Sequence, residues 1–508
     1  MQFGRKTLSL ETQAIIMKYK LKYLLGLLPA LALLSCSGQA GKTLEIQNEA
    51  DLSGLRVVTL AGSSYDVELS KREDITLLLY NNSSDCLQAL ITDKADVMAN
   101  DEIVFNSAIR NENGVKIAFL GDHSFPTAFM FRKDEAELAD TCTAVQRRMI
   151  EDGSMQRLKD YWLSDQYAET TTFTHITYET EGAPIRVAAA ASTAPIAFRS
   201  GDDWYGIEID LLRELGKELR RPLDIKYYDA ASSILALKSG LADVACGCFF
   251  VTPEREEEFL FAEPYHDYHP AYFVVDKDVR KQKEGVIAWL KHSIRKNLLT
   301  EKRWKYITDG LLETLKISIL SILLGSLLGI LLYAMTRSRR SWIRSVASAY
   351  NAFLSGIPEL VLLLILFYVV FAKSGLPSDI VAVIAFAMFF ASGACDIYKT
   401  SLDAIPGGQT EAGLALGFTR SQTFFNIVFP QALRRGLPLY KGQCISTLKG
   451  TSIVGYIAIQ DLTRAGDLIR SRTFDAILPL LLVTVFYFLL VWLIGLLLKL
   501  ASPKKKVL

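Results

Sequence analysis

From Thr314 onward the chain carries apolar stretches at about 315–335, 350–371, 378–400, 440–458 and 476–500, and these restrict its possible folds more than any other feature. Helical runs of that length match the hydrocarbon thickness of a bilayer, so an all-α membrane domain of about five crossings is expected over 307–502. The fourth stretch is the weakest, because Lys441 and Lys449 interrupt it. Before residue 305 the pattern changes. Between about 51 and 280, short β-rich runs alternate with amphipathic helical ones, as in α/β lobes. A chain of 508 residues, half of them hydrophobic, has room for both parts. Its formal net charge of +1 gives no bulk attraction for nucleic acid, and no such partner is expected.

The first residues read as a targeting segment. Lys18, Lys20 and Lys22 precede an apolar run from Leu24 to Leu34 that is short for a membrane span. The run ends Leu33-Leu34-Ser35-Cys36, which resembles a lipobox. Residues 1–36 are therefore expected to be a signal peptide lipidated at Cys36, with Met17 as an alternative start. An uncleaved signal anchor is the other option, and either one exports the α/β part. Gly41-Lys42-Thr43 imitates the end of a phosphate loop, but Cys36 stands where its first glycine belongs. The seven cysteines are scattered and suggest no disulfide framework. Cys246-Gly247-Cys248 lacks a second Cys/His pair, so no metal site is expected.

A polar, Gly-punctuated insert, Pro406 to Pro438, separates two apolar stretches. It reads as two short helices about a turn. Gly417 can take the positive φ that ends the first. Thr419 with Gln422 offers a capping box for the second, and Pro430 is expected to stop it. The frame Glu411-Ala412-Gly413, Gly417, Ile427 and Pro430 resembles the EAA loop of ABC-importer permeases. That resemblance implies docking to a separate ABC ATP-binding subunit, which would hold ATP and magnesium, leaving this chain without a cofactor or enzymatic activity of its own. The lead-in Trp304 to Lys316 and the run Gln443 to Ser452 resemble polar amino-acid permeases, although Gly450 stands where an acidic or amide residue is usual. Asp396 and Lys399, one helical turn apart, match the family's Glu/Arg pair and are expected to form an ion pair near the membrane boundary. Gly325 and Gly329 form a GxxxG step that permits close helix approach.

The exported part, 44–280, resembles an amino-acid-type periplasmic binding protein with its halves in reversed order. Ile185 to Ala189, Trp204 to Leu212, Leu237 to Val244, Thr252-Pro253-Glu254-Arg255 and Phe261 to Tyr265 belong to that family's first lobe. Leu55 to Ser64, Ala89 to Glu102 and Glu151 to Trp162 belong to its second. One circularly permuted two-lobe domain is expected, 51–166 second-lobe-like and 184–276 first-lobe-like. Two truncated domains remain the alternative.

A free α-amino acid needs a cation for its carboxylate and an anion for its ammonium. By resemblance, Arg255 would clamp the carboxylate. Thr252 and the N–H groups of Gly62, Ser63 and Ser64 would assist, and Asp101 on the other lobe would take the ammonium. Two departures bear on the solute. Thr193-Ala194-Pro195-Ile196 replaces the usual aromatic pair, and Phe250 stands where a small hydroxyl residue usually contacts the carboxylate.

An exported first domain and five crossings put the C-terminus inside, with Lys504, Lys505 and Lys506 in a basic tail over 503–508. The insert and Arg337, Arg339, Arg340 and Arg344 fall inside too, as the positive-inside rule asks. The basic stretch 281–306 falls outside, where it is expected to lie as an interfacial linker. The resemblance thus implies a permease with a fused receptor in a bacterial inner membrane, working by alternating access on amino acids, as a homodimer or paired with a different permease. A receptor degenerated into a scaffold is the alternative. A ligand-gated channel would need a filter-bearing re-entrant loop, and none is legible.

Overall fold

A computed structural model describes residues 44–104, 114–122, 124–163, 173, 176–190, 194–276 and 286–500; Cys36, Thr193 and the basic tail lie outside them. A leading lobe is built from β1 (Arg56–Leu60), α1 (Ser64–Leu69), β2 (Thr76–Tyr80), α2 (Ser83–Ile91), β3 (Val97–Asp101) and β4 (Val115–Leu120). Next come β5 (Phe125–Thr127), β6 (Met130–Phe131), α3 (Ala136–Glu151) and α4 (Ser154–Trp162). A trailing lobe comes after them with β7 (Ile185–Ala189), β8 (Phe198–Ser200), β9 (Asp203–Tyr205), α5 (Ile207–Leu219), β10 (Leu223–Tyr227), α6 (Ala230–Lys238) and β11 (Val244–Cys246). It continues with α7 (Pro253–Glu256), β12 (Leu260–Phe261), β13 (His266–Tyr268) and β14 (Pro270–Val275).

The inner strands are apolar runs, not alternations. Val57, Val58 and Thr59 are all buried, as expected of a parallel sheet covered on both faces. Neither sheet closes on its own segment. The leading sheet has the order β2-β1-β3-β14-β4, and the trailing sheet β10-β7-β11-β6-β12. Strand β14 runs antiparallel to β3, with Tyr272 opposite Ala99, and β6 antiparallel to β11, with Val244 opposite Phe131. Each half therefore donates one strand to the other, which two separate truncated domains would not do. This exchange corrects the expected boundaries. Residues 130–162 belong to the trailing lobe and 270–275 to the leading one. The Trp162 indole N–H donates to buried Asp210 at 2.8 Å, pinning α4 onto α5.

The helical half comprises α8 (Val286–Ile294), α9 (Trp304–Thr336), α10 (Ser341–Gly356), α11 (Glu359–Ile365), α12 (Ser378–Asp403), α13 (Gly408–Ala415), α14 (Arg420–Thr423), α15 (Phe429–Gly450), α16 (Leu462–Thr473) and α17 (Ile477–Leu500). Among the described residues, α9, α12 and α17 are each long and apolar enough to cross a membrane. The expected span 350–371 is instead a helix pair bent by 107°. The bend falls at Ile357-Pro358, because proline has no N–H to continue α10 and disfavours helix in the residue before it. The expected span 440–458 also shifts. The helix runs 429–450 and gives way to a 3-10 turn over Thr451–Ile457.

Of the expected linker 281–306, the described part, 286–306, is no plain connector. Buried Asn297 accepts from the Thr473 hydroxyl at 2.7 Å, and Glu301 takes Arg472 at 2.9 Å, so the segment is held against the end of α16. Helices α9 and α12 cross at the GxxxG step. A Cβ on Gly325 would lie 2.7 Å from Phe390 Cβ, and one on Gly329 would lie 2.8 Å from Ala394 Cβ. Gly325→Leu or Gly329→Leu should therefore lower the melting temperature of the detergent-solubilised chain, by overpacking of roughly 1–3 kcal/mol. Gly356→Leu, with nothing within 4 Å, should lower it less.

Candidate functional site

The two lobes face each other across a cavity of about 100 Å³. Gly62, Ser63, Tyr65, Asn82 and Asp101 line it from the leading lobe, and Tyr227, Cys248, Phe250 and Arg255 from the trailing lobe. The structure thus brings Arg255, Asp101, Gly62 and Ser63 together across the cleft. Thr252 plays another part. Its hydroxyl caps α7 by accepting the Arg255 N–H at 3.4 Å, and it lies outside the lining. Ser64 opens α1, and its side chain lies outside what the structure describes. The expected nest of N–H groups is corrected as well. The Gly62 N–H donates to the Asp66 carboxylate at 2.8 Å and the Ser63 N–H to the Leu60 carbonyl at 3.2 Å, so local turn bonds satisfy both.

The charges are placed by the ends of elements. Asp101 ends β3, and the Tyr65 hydroxyl donates to it at 2.5 Å. Desolvation pushes the Asp101 carboxyl up to about 6 against the pull of that bond. Arg255 sits on the short helix α7, its guanidinium 5.4 Å from the Phe249 ring centroid. Its two terminal nitrogens donate to the Phe250 and Gly62 carbonyls, each at 3.2 Å, the second bond crossing between lobes. Burial holds its pKa below the usual guanidinium value.

Phe250 is buried in this wall. It stacks on Phe125 at 5.1 Å and meets Tyr65 edge-on at 5.3 Å. Beneath the lining, Glu208 is fully buried and accepts from the Tyr265 hydroxyl at 2.6 Å and the Cys248 N–H at 3.0 Å. Desolvation raises it to about 7.

Sequence reading missed Tyr65, Asn81, Asn82, Asn100, Tyr227 and Ser471, all of which line the cavity. The Asn81-Asn82-Ser83 run carried a usable signal. Asn82 caps α2 by accepting the Asp85 N–H at 2.9 Å, as Asn before a helical run does. Ser471, on α16, carried none.

The insert folds as two helices about a turn. Gly417 has φ +84°, and both capping-box bonds form, Gln422 N–H to the Thr419 hydroxyl at 3.3 Å and Thr419 N–H to the Gln422 amide at 2.9 Å. A Cβ on Gly413 would lie 2.5 Å from Thr423 Cγ2 and 3.0 Å from Ile427 Cδ1, so glycine permits the knuckle to close. Pro430 does not stop the second helix. It sits in the first turn of α15, which continues from a π turn over Phe424–Val428, where a missing N–H costs little. Glu411, Ala412, Leu416 and Phe425 are exposed on the knuckle. Asp396 and Lys399 are both exposed on α12, and no ion pair within 4 Å joins them.

Residues 321–507 match the family model of binding-protein-dependent transport system inner membrane components. Residues 185–365 match that of bacterial extracellular solute-binding proteins, family 3, which begins on β7. The chain is similar to the L-cystine transport system permease protein TcyB of Bacillus subtilis, 32% identical over 41% of this chain and 87% of that protein. It is similar to the arginine permease protein ArtQ of Haemophilus influenzae, 33% identical over 32% of this chain and 76% of the relative. Among solved structures, an amino acid ABC transporter with histidines is 28% identical, with a TM-score of 0.37, over 44% of this chain and 99% of that one.

Two raised carboxyls make stability depend on pH. Between the ordinary carboxylate value and about 6 for Asp101, or about 7 for Glu208, the folded chain holds a proton that the unfolded chain has released. Stability contributed by these groups is full below that window and falls as pH rises through it. Asp101→Asn and Glu208→Gln should each flatten the fall in melting temperature between about pH 4 and 7, an effect on the order of 3 kcal/mol.

Proposed function

The chain belongs to the binding-protein-dependent inner-membrane components of ABC importers, with a family-3 solute-binding domain in the same polypeptide, and we propose that it imports polar amino acids by alternating access. The observation that carries the solute reading is the pairing of Arg255 and Asp101 from opposite lobes on one cavity. A fork of N–H donors suits a carboxylate, a buried carboxylate suits an ammonium, and a molecule holding both favours lobe closure. The cystine and arginine relatives support the same class of solute. In this reading the receptor is a circularly permuted domain, exposed on the outer face of a bacterial inner membrane. ATP and magnesium are bound by a separate ABC subunit, which grips the knuckle around Gly417. A homodimer completes the pathway, since one such helical core lines only half of it. The Arg337 to Arg344 cluster supports a cytoplasmic knuckle by the positive-inside rule.

One observation favours a second reading, a receptor that serves only as a scaffold. Tyr65 already bonds Asp101, Arg255 already bonds two carbonyls, and Phe250 fills part of the cleft. Equilibrium binding of a panel of L-amino acids to the whole chain separates the two. Uptake as proposed expects at least one to bind, and Arg255→Ala to weaken it by on the order of 2 kcal/mol, about thirtyfold. Absence of binding by every amino acid supports the scaffold.

The docking claim has its own measurement. Purified with its ATPase in vesicles, the chain should stimulate ATP hydrolysis in response to solute, and Glu411→Arg with Gly417→Val should abolish the stimulation. Stimulation that survives both changes, or labelling that places Gly417 on the outer face, removes the knuckle as the point of attachment.

A further inference from the structure

Helix α16 belongs by chain position to the membrane half, yet it closes the solute cavity. Buried Ser471 lines that cavity beside Gly62, Asp101, Tyr227 and Arg255. The helix is held by both lobes at once. On the leading side Arg470 pairs with Asp85, in the first turn of the same α2 whose cap Asn82 lines the cavity. Phe474, just past the helix, is buried among Val58, Leu87, Leu90 and Phe273. On the trailing side the Arg464 guanidinium lies 4.1 Å from the Tyr227 ring centroid and that of Arg472 4.1 Å from Phe198. Leu468 is buried in the core that holds Trp162 and Phe198. Arg199 of the trailing lobe also reaches Gln460, before the helix, at 2.5 Å.

The other end of α16 is fixed to the membrane helices. The Leu462 N–H donates to the Thr314 hydroxyl on α9 at 3.0 Å, and the Tyr487 hydroxyl on α17 donates to Asp461 at 3.2 Å. Gly310 of α9 lies against the Asp461 carbonyl, where a Cβ would come within 2.6 Å. The lobes therefore cannot part without either turning α16, which pulls on α9 and α17, or breaking the Arg470–Asp85 pair and releasing the helix.

We propose that the solute site has three walls, two lobes and α16, with Ser471 a solute-contact residue that limits solute size. Arg470 is a positioning residue that links lobe opening to the membrane helices. The first part rests on the reading of the cavity as the solute site; the second does not. A segment ending at residue 280 lacks the third wall, so the test uses the whole chain in lipid nanodiscs.

Equilibrium dialysis with radiolabelled L-amino acids should show Ser471→Leu raising the Kd of the bulkier solutes by about tenfold or more, with glycine and alanine less affected. Ser471→Thr gives a smaller rise of the same sign should leucine prevent folding. Unchanged Kd values for every amino acid bound by the wild type overturn the wall. Hydrogen exchange reads the clamp without solute. Arg470→Ala should speed exchange in both α2 and α16 while leaving α5 as it was, and the charge swap Asp85→Arg with Arg470→Asp should restore protection. Equal exchange in α2 with and without Arg470 overturns the clamp. Should the wild type bind no amino acid, the solute reading and the Ser471 contact fall together, and the exchange arm still decides the clamp.

Discussion

Exchange of one antiparallel strand between the halves is the constraint on which the rest depends. Without β14 the leading sheet would leave β3 and β4 unpaired at its centre, and without β6 the trailing sheet would break between β11 and β12. Open edges inside a sheet leave rows of N–H and C=O groups without partners. Each lobe therefore completes its backbone bonding only when the chain has crossed the cleft twice. Those crossings bring the end of β3, with Asp101, opposite α7, with Arg255. The cleft and its charges result from how the sheets are completed.

A second consequence concerns mechanics. A receptor joined to its permease by a linker alone could move freely, but here α16 is packed into both lobes and bonded to α9 and α17. The cleft and the membrane helices thus share one element, α16. The knuckle repeats the principle on a smaller scale. Gly413 lets α13 close onto Thr423 and Ile427, and the capping box fixes the next turn, so the knuckle is packed continuously up to α15.

Where sequence reading failed, the reasons are particular. The resemblance implies that Thr252 and the Gly62 and Ser63 N–H groups assist a carboxylate, and Gly62 and Ser63 do line the cavity. Their nearest partners proved to be α7 and the Asp66 and Leu60 oxygens, since local bonds form with little loss of chain entropy. Pro430 is expected to stop a helix, yet it sits in the first turn of α15, directly after the π turn over Phe424–Val428. Asp396 and Lys399 have the right spacing, but spacing on a helix does not by itself bring two side chains within 4 Å of each other.

Local pattern in the chain already prescribes the split into α/β and membrane halves, the strands from Arg56 and Ile185, and the knuckle about Gly417 with its Thr419–Gln422 box. These rest on periodicity and turn chemistry within a few residues, where the chain's own covalent geometry carries the information. Long-range packing sets the rest: β14 completes the leading sheet, residues 130–162 join the trailing lobe, and Ser471 faces the cavity. Arg470 meets Asp85 across a sequence separation of 385 residues. No local pattern in either segment prescribes that meeting, because it is set by the packing of everything between them.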